Sequence, residues 1–449
     1  MTDHALPGDA PPRSASEERA GDVADHPSPQ RVEPVQPEER IAVVDVLRGF
    51  ALLGILVVNI QFYSTPSSKL FSSVIVWQEP VHVWADRIIS WFFEMKFYTL
   101  FSFLFGFGIA MQILRAEAKG RGFLGLHYRR MLVLLGIGLF HAFFIWMGDI
   151  LVTYAVLGCI LPLLCWLRPR WVLLSAVLIL AVMVFLYATG ALLLGGVSLL
   201  IGPEMQSELF GGEAAVQQII EQAREDTRIY REGTYWQITA VRAREVLSVY
   251  VAVLFFQGPH VFAMFLLGLY VGRIGWFQDL PKTLPVFWQA WWIGLTVGGL
   301  GTLLTAWLSS HSGFDSLGGM SWKFAGVAAA LVAAPALSCF YATSLILLYY
   351  RPTVRPYLDL LAPVGRMALT NYLAQSLICS TIFYGSTIFG FGFGLYARIG
   401  PAYGLVLALA IWIVQVIWSN LWFRGLGLKF GPMEWLWRTL SYGRLQPMR

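Results

Sequence analysis

Charge is what this sequence has least of. Only 13% of its 449 residues are Asp, Glu, Lys or Arg, about half the ~25% typical of a soluble domain. With 57% hydrophobic residues and a mean hydropathy of +0.62, a soluble fold is excluded and a polytopic membrane protein is indicated. Basic clusters are missing too. The net charge of +5 is spread over loops without a recognition module, which excludes nucleic acid as a partner. Cysteine is scarce: Cys159, Cys165, Cys339 and Cys379 each sit inside an apolar run. No C-x-x-C and no histidine at ligand spacing accompanies them, so they read as packing residues, neither disulfides nor a metal site. The amino terminus lacks the short apolar core of a signal peptide. The glycine-rich "GFGFG" (390–394) lacks the flanking strand and helix of a phosphate cradle.

What is present falls into two materials. Residues 1–39 are rich in Pro, Glu and Asp and poor in aliphatics. Such a segment cannot bury enough surface to fold, and a disordered cytoplasmic tail is expected. Residues 40–446 form the expected transmembrane domain, an all-α helix bundle.

A membrane helix needs about 20 apolar residues. Ten candidate spans follow, near 41–62, 97–114, 131–147, 149–167, 171–200, 247–273, 286–308, 323–349, 363–390 and 402–423. The fifth and sixth are long, with breaks expected at Thr189-Gly190 and Gly258-Pro259. The amphipathic "VHVWADRIISWFFEMKF" (81–97) is expected to lie along the interface. Lys and Arg in short loops set orientation. The loop 115–130 carries five basic residues against one acidic, whereas 202–245 carries eight acidic against five basic. Both termini are therefore expected in the cytoplasm. The segment 202–245 is expected to be an extracytoplasmic loop, helical around 214–224.

Ionisable groups inside a membrane cost about 2.5–3.5 kcal/mol for Asp at a helix centre, so each is a functional candidate. The stretch "LFHAFFIWMGDILVTYAVLG" (139–158) holds two, His141 and Asp149. Asp149 could accept the Nδ1–H of His141 and leave Nε2 free as a base. Equally, Asp149 could merely cap the following helix, since Gly-Asp before an apolar run is a good helix start. In the first span Asp45 and Arg48 stand at i, i+3 and can pair. Asn59 follows Arg48 by nearly a whole number of turns, so the three share one polar stripe. The other reading puts Asp45 and Arg48 at the cytoplasmic interface, with Arg48 reaching the headgroups. In "PVGRMALTNYLAQSL" (363–377) Asn371 and Gln375 stand at i, i+4, as do Gln415 and Ser419 later. These are candidates for substrate contact, although interhelical amide bonding accounts for them. Arg366 could bind an anionic donor or anchor its helix. His260, after Gly258-Pro259, is a further polar point.

Four stretches taken together carry a resemblance: "RIAVVDVLRGFALLGILVVNI", "KFYTLFSFLFGFGIAMQ", "RRMLVLLGIGLFHAFFIWMGDILVTYAVLG" and "APVGRMALTNYLAQSL", with the closing "FGPMEWLWRTLSYG". Over about residues 40–446 the chain resembles the YeiB-like bacterial membrane family, domain-of-unknown-function family 418. That family is similar to the transmembrane acyltransferase superfamily, which includes the heparan glucosaminide acetyltransferases and bacterial enzymes acylating surface polysaccharides. Those proteins open with an Asp-x-x-Arg-Gly first span, matched by Asp45, Arg48 and Gly49, and use an intramembrane histidine, whose best counterpart is His141. The histidine match is one of context and not of a continuous shared motif.

The resemblance implies a multi-pass protein of the bacterial inner membrane that moves an acyl group from cytoplasmic acyl-CoA to an extracytoplasmic acceptor. His141 would act as base and Asp149 would orient it; Arg48 would hold the donor's anionic groups and Asn59 the developing oxyanion. No bound cofactor is expected, acyl-CoA being a substrate. The partners expected are membrane lipids, the donor and the acceptor. The alternative is a transporter or flippase of a small metabolite or lipid, with the polar stripe as its pathway. No inverted repeat relating the halves is visible in the sequence.

Overall fold

A computed structural model describes residues 2, 41–65, 77–120, 122–202, 205–206, 209, 212–278, 280–313 and 316–449. The expected tail lies outside the described residues apart from Thr2. Every regular element described is helical, with no strand among the described residues. In chain order the main helices are α1 (Ala42–Ser64), α2 (Pro80–Phe92), α3 (Lys96–Ala118), α4 (Leu124–Phe144), α5 (Leu151–Ile160) and α6 (Pro169–Leu200). There follow α7 (Gly212–Glu232), α8 (Tyr235–Ala252), α9 (Gly258–Ile274), α10 (Leu280–Ser309) and α11 (Leu317–Tyr349). The last four are α12 (Ala362–Arg366), α13 (Ala368–Phe383), α14 (Pro401–Asn420) and α15 (Pro432–Tyr442).

Among the described residues, seven helical segments are long and apolar enough to cross a membrane: 42–64, 80–118, 169–200, 235–274, 282–309, 317–349 and 401–425. Three of the ten expected spans are not among them. α4 carries Arg129, Arg130 and two histidines in its 21 residues, while α5 has only 10 residues and α13 only 16.

α1 is the hub. Its apolar window is 67% buried, against 17% for α6 and for α10, which therefore form the periphery. Val46, Leu47, Ala51, Leu52, Leu56, Val57 and Ile60 bury several faces of α1, as expected of a helix surrounded by others. Close approach is bought by two glycines. A methyl on Gly49 would stand 2.4 Å from the Leu361 carbonyl oxygen, and one on Gly365 would stand 1.9 Å from that of Asp45. The start of α1 thus lies backbone to backbone against α12.

Four expectations about breaks need correction or refinement. α6 runs unbroken through Thr189-Gly190, because a lone glycine keeps every helical hydrogen bond. Its missing side chain leaves a notch filled by Phe324 of α11. The break at Gly258-Pro259 is present as a π turn over Val253–Gln257, just before α9 begins. The expected span 363–390 is two helices, α12 and α13, parted at Met367, and the second ends at Phe383. The amphipathic segment is helix α2, separated from α3 by a corner in which Met95 adopts φ 67°.

The largest correction concerns 202–245. It is not a loop with a short helical patch but largely two helices, α7 and α8, the second continuing through the π turn into α9. Arg231 of α7 donates to the carbonyls of Tyr396 and Ala397 at 2.6 and 3.0 Å, and Gly385 N–H donates to the Tyr230 carbonyl at 2.8 Å. Residues 384–397 and α7 are therefore stitched together by backbone contacts that leave no slack for a mobile loop.

Candidate functional site

α4 ends at Phe144, and the chain turns through Trp146-Met147-Gly148 before α5 begins at Leu151. The turn folds back tightly. Trp146 N–H donates to the His141 carbonyl at 2.9 Å, and the Trp146 ring stacks on Tyr63 of α1 at 4.3 Å. Asp149 is thereby brought over the last turn of α4. Its Oδ2 lies 2.7 Å from Nδ1 of His141, and both side chains are fully buried. Its Oδ1 accepts the Val152 N–H at 2.8 Å in the first turn of α5. The two readings offered by the sequence, a helix cap and a histidine partner, are thus both satisfied by one carboxylate, one oxygen each.

Two tyrosines close the site. Tyr250, near the end of α8, donates to Asp149 Oδ1 at 3.3 Å and to the Asp149 carbonyl at 3.2 Å. Tyr372 of α13 places its ring 5.3 Å from the imidazole and its hydroxyl 3.4 Å from the Gly148 carbonyl. The remaining polar atom, Nε2 of His141, is buried with no hydrogen-bond partner among the described residues. An imidazole that donates Nδ1–H to a carboxylate carries its lone pair on Nε2. An unsatisfied buried acceptor of this kind calls for an explanation, a reacting group being one.

The first-span candidates stand elsewhere. Arg48 pairs with Asp45 at 2.9 Å, as their spacing predicts, and its guanidinium faces Gly108 of α3. The α1 residue that reaches the His141 layer is Tyr63. It lies fifteen positions further on, roughly 22 Å along a helix rising ~1.5 Å per residue. Asn59 is half-buried one turn before Tyr63, nearer the His141 end than the Arg48 end. Asp45–Arg48 and His141–Asp149 are therefore two sites near opposite ends of the central helix, not one.

The late candidates are occupied by packing. Asn371 donates to the Val364 carbonyl and to Ser419 Oγ, both at 3.1 Å. Gln375 donates to Gln415 Oε1 at 2.8 Å, and Gln415 returns a bond to the Asn371 carbonyl at 2.8 Å. These four polar residues form one ladder between α13 and α14. Arg366 lies over the Phe423 ring at 3.9 Å. His260 is fully buried, with Nδ1 3.2 Å from the Tyr98 hydroxyl and Nε2 without a partner among the described residues.

Sequence reasoning missed three residues of consequence. Tyr250 and Tyr372 are far from Asp149 in the chain, and no local spacing signals such a contact. Arg242 falls in the acidic segment that reads as a solvated loop. It is instead fully buried, donates to the Phe143 carbonyl at 3.3 Å and lies over the Tyr384 ring.

A family model described as "Protein of unknown function (DUF418)" matches residues 271–444. The uncharacterized protein YxaH of Bacillus subtilis is 34% identical over 435 residues, covering 93% of this chain and 98% of its own. A 39.9 kDa protein encoded in the amylase 3' region of Bacillus acidopullulyticus is 30% identical over 426 residues, covering 93% and 98%. The uncharacterized protein YeiB of Escherichia coli is 28% identical over 421 residues, covering 90% and 96%.

Proposed function

Because the chain belongs to the YeiB-like DUF418 family, we propose that it is an integral membrane acyltransferase of the bacterial inner membrane. It would take its acyl group from cytoplasmic acyl-CoA and pass it to an extracytoplasmic hydroxyl or amine. The observation carrying this reading is the fully buried His141–Asp149 pair at 2.7 Å with Nε2 unpartnered. That is the arrangement an oriented general base requires.

In the proposed step the acceptor oxygen or nitrogen attacks the thioester carbonyl while its proton passes to His141 Nε2. The C–S bond breaks, the new acyl bond forms and the thiol leaves, regaining a proton from the imidazolium. Asp149 holds the ring and offsets its transient charge. Asn59, on the same half of α1 as Tyr63, would be the donor for the oxyanion. Arg48, at the other end, offers permanently charged planar donors to the anionic groups of an extended donor molecule. The distance between the Arg48 and His141 sites suits a ligand entering from the cytoplasmic end and reacting near the outer one. In this orientation the amino terminus is cytoplasmic and α7 lies outside.

The test is incubation of the purified protein, in vesicles, with radiolabelled acetyl-CoA and longer acyl-CoAs. CoA release that disappears in His141→Ala, with the protein still folded, supports the reading. Uptake of a metabolite into the vesicles without CoA turnover contradicts it and favours transport.

A further inference from the structure

Asp149 must present Oδ2 to His141 while Oδ1 serves the first turn of α5. A carboxylate can rotate about its Cβ–Cγ bond, so something has to hold that division. Val152 N–H supplies one donor to Oδ1. The second is the hydroxyl of Tyr250, shared between Oδ1 at 3.3 Å and the Asp149 carbonyl at 3.2 Å. It therefore grips both the side chain and the backbone of one residue. A buried hydroxyl needs some acceptor; here the acceptor is the carboxylate that serves His141.

The delivery of Tyr250 is also specific. It stands on α8, three residues before the π turn at Val253–Gln257. A π turn inserts an extra residue into the helical repeat and re-aims the segments on its two sides. On one side Tyr250 meets Asp149; on the other His260 meets Tyr98. The same helix begins at Tyr235, whose hydroxyl donates to the Phe144 carbonyl at 3.0 Å, and carries Arg242 onto the Phe143 carbonyl. α8 thus runs along the end of α4, with Tyr250 meeting the reactive pair.

We propose that Tyr250 is a positioning residue of the His141–Asp149 pair, holding Oδ1 so that Oδ2 is committed to the imidazole. The proposal rests on the acyl-transfer reading for its kinetic consequence but not for its physical one. The hydroxyl acts through Asp149, so its loss changes the reacting imidazole without changing ligand contacts.

The test compares Tyr250→Phe with Tyr235→Phe, which deletes a hydroxyl of the same helix that touches only a backbone carbonyl. Two quantities are read on the full chain in detergent. The first is the proton resonance of His141 Nδ1–H, assigned by its absence in His141→Ala, with no substrate present. It is expected to shift in Tyr250→Phe and to stay in place in Tyr235→Phe. The second is CoA release, where Tyr250→Phe is expected to lower kcat roughly threefold to tenfold with KM unchanged, a share of the ~100-fold or more carried by the base itself. An unshifted resonance in Tyr250→Phe, or a change confined to KM, overturns the proposal. A resonance that shifts in Tyr250→Phe, while the wild-type protein releases no CoA, keeps the positioning role and sinks the acyl-transfer reading alone. Should Tyr250→Phe not fold, 3,5-difluorotyrosine at position 250 keeps the shape and strengthens the donor. It must then move the resonance, and an unmoved one again overturns the proposal.

Discussion

Asp149 binds His141 through one carboxylate oxygen and caps α5 through the other, at 2.7 and 2.8 Å. This division predicts that Asp149→Asn and Asp149→Ala fail differently. The asparagine oxygen can keep the Val152 cap, but its amide would then donate toward Nδ1. That forces the imidazole proton onto Nε2 and removes the base. CoA release is expected to fall about a hundredfold or more, with the thermal unfolding midpoint in detergent almost unchanged. Asp149→Ala loses the cap as well and should cost a further ~1–2 kcal/mol of stability.

The contact between α1 and α12 makes Gly49 and Gly365 intolerant of even one methyl group, since each would meet a backbone carbonyl that cannot step aside. Gly49→Ala and Gly365→Ala should each lose about 1–3 kcal/mol, measured by thermal unfolding in detergent. Gly299 of α10 faces open space. Gly299→Ala is expected to be neutral or to gain up to ~1 kcal/mol from reduced chain entropy.

The ladder between α13 and α14 predicts non-additivity. Gln415→Leu strands the Gln375 amide donor and should cost about 1–2 kcal/mol. Adding Gln375→Leu removes the stranded donor, so the double variant should be less destabilised than the sum of the singles. CoA release should fall only in proportion to the folded fraction, because the ladder holds helices together and does not touch the reactive pair.

Glu434 of α15 caps the start of α13. Oε1 accepts from Leu369 and Thr370 N–H at 2.7 and 3.1 Å, and Oε2 accepts from the Thr370 hydroxyl at 2.6 Å. Desolvation of the inward-turned carboxyl raises its pKa above the ordinary carboxylate range, outweighing the lowering by those bonds. A group raised in the folded state contributes most stability below its unfolded pKa and loses it as pH rises through the folded one. Unfolding midpoints should therefore fall between acidic and neutral pH more steeply in the wild type than in Glu434→Gln. Glu434→Ala should cost ~1–2 kcal/mol at acidic pH and less as pH rises.

How much of this was legible in the residues follows from the range of each interaction. The Asp45–Arg48 pair sits within one helix and its spacing alone places it. His141 and Asp149 are eight apart across one turn, near enough for the sequence to raise the pair, though not to see that capping and pairing coexist. The interhelical use of Asn371, Gln375, Gln415 and Ser419 was readable from two i, i+4 pairs of amides and hydroxyls in apolar runs. Helical periodicity puts Asp45, Arg48 and Asn59 on one stripe of α1, yet it says nothing about which neighbour each level meets. Hence Arg48 and His141 could be grouped on paper while lying near opposite ends of the helix. Tyr250 acts across 101 residues and Glu434 across 65, distances at which one sequence holds no pairing signal. The helix expected around 214–224 lies within α7, but its full length and α8 are not signalled by the charged sequence, in which Arg231 and Arg242 turn inward to backbone carbonyls.

The most direct measurement is a double-mutant cycle on acyl-CoA turnover, comparing wild type, His141→Ala, Asp149→Ala and the double variant at equal folded concentration. If the carboxylate works only through the imidazole, the double variant releases CoA no more slowly than His141→Ala alone. Losses that multiply, or a His141→Ala protein that turns over like the wild type, would contradict a reactive histidine steered by Asp149.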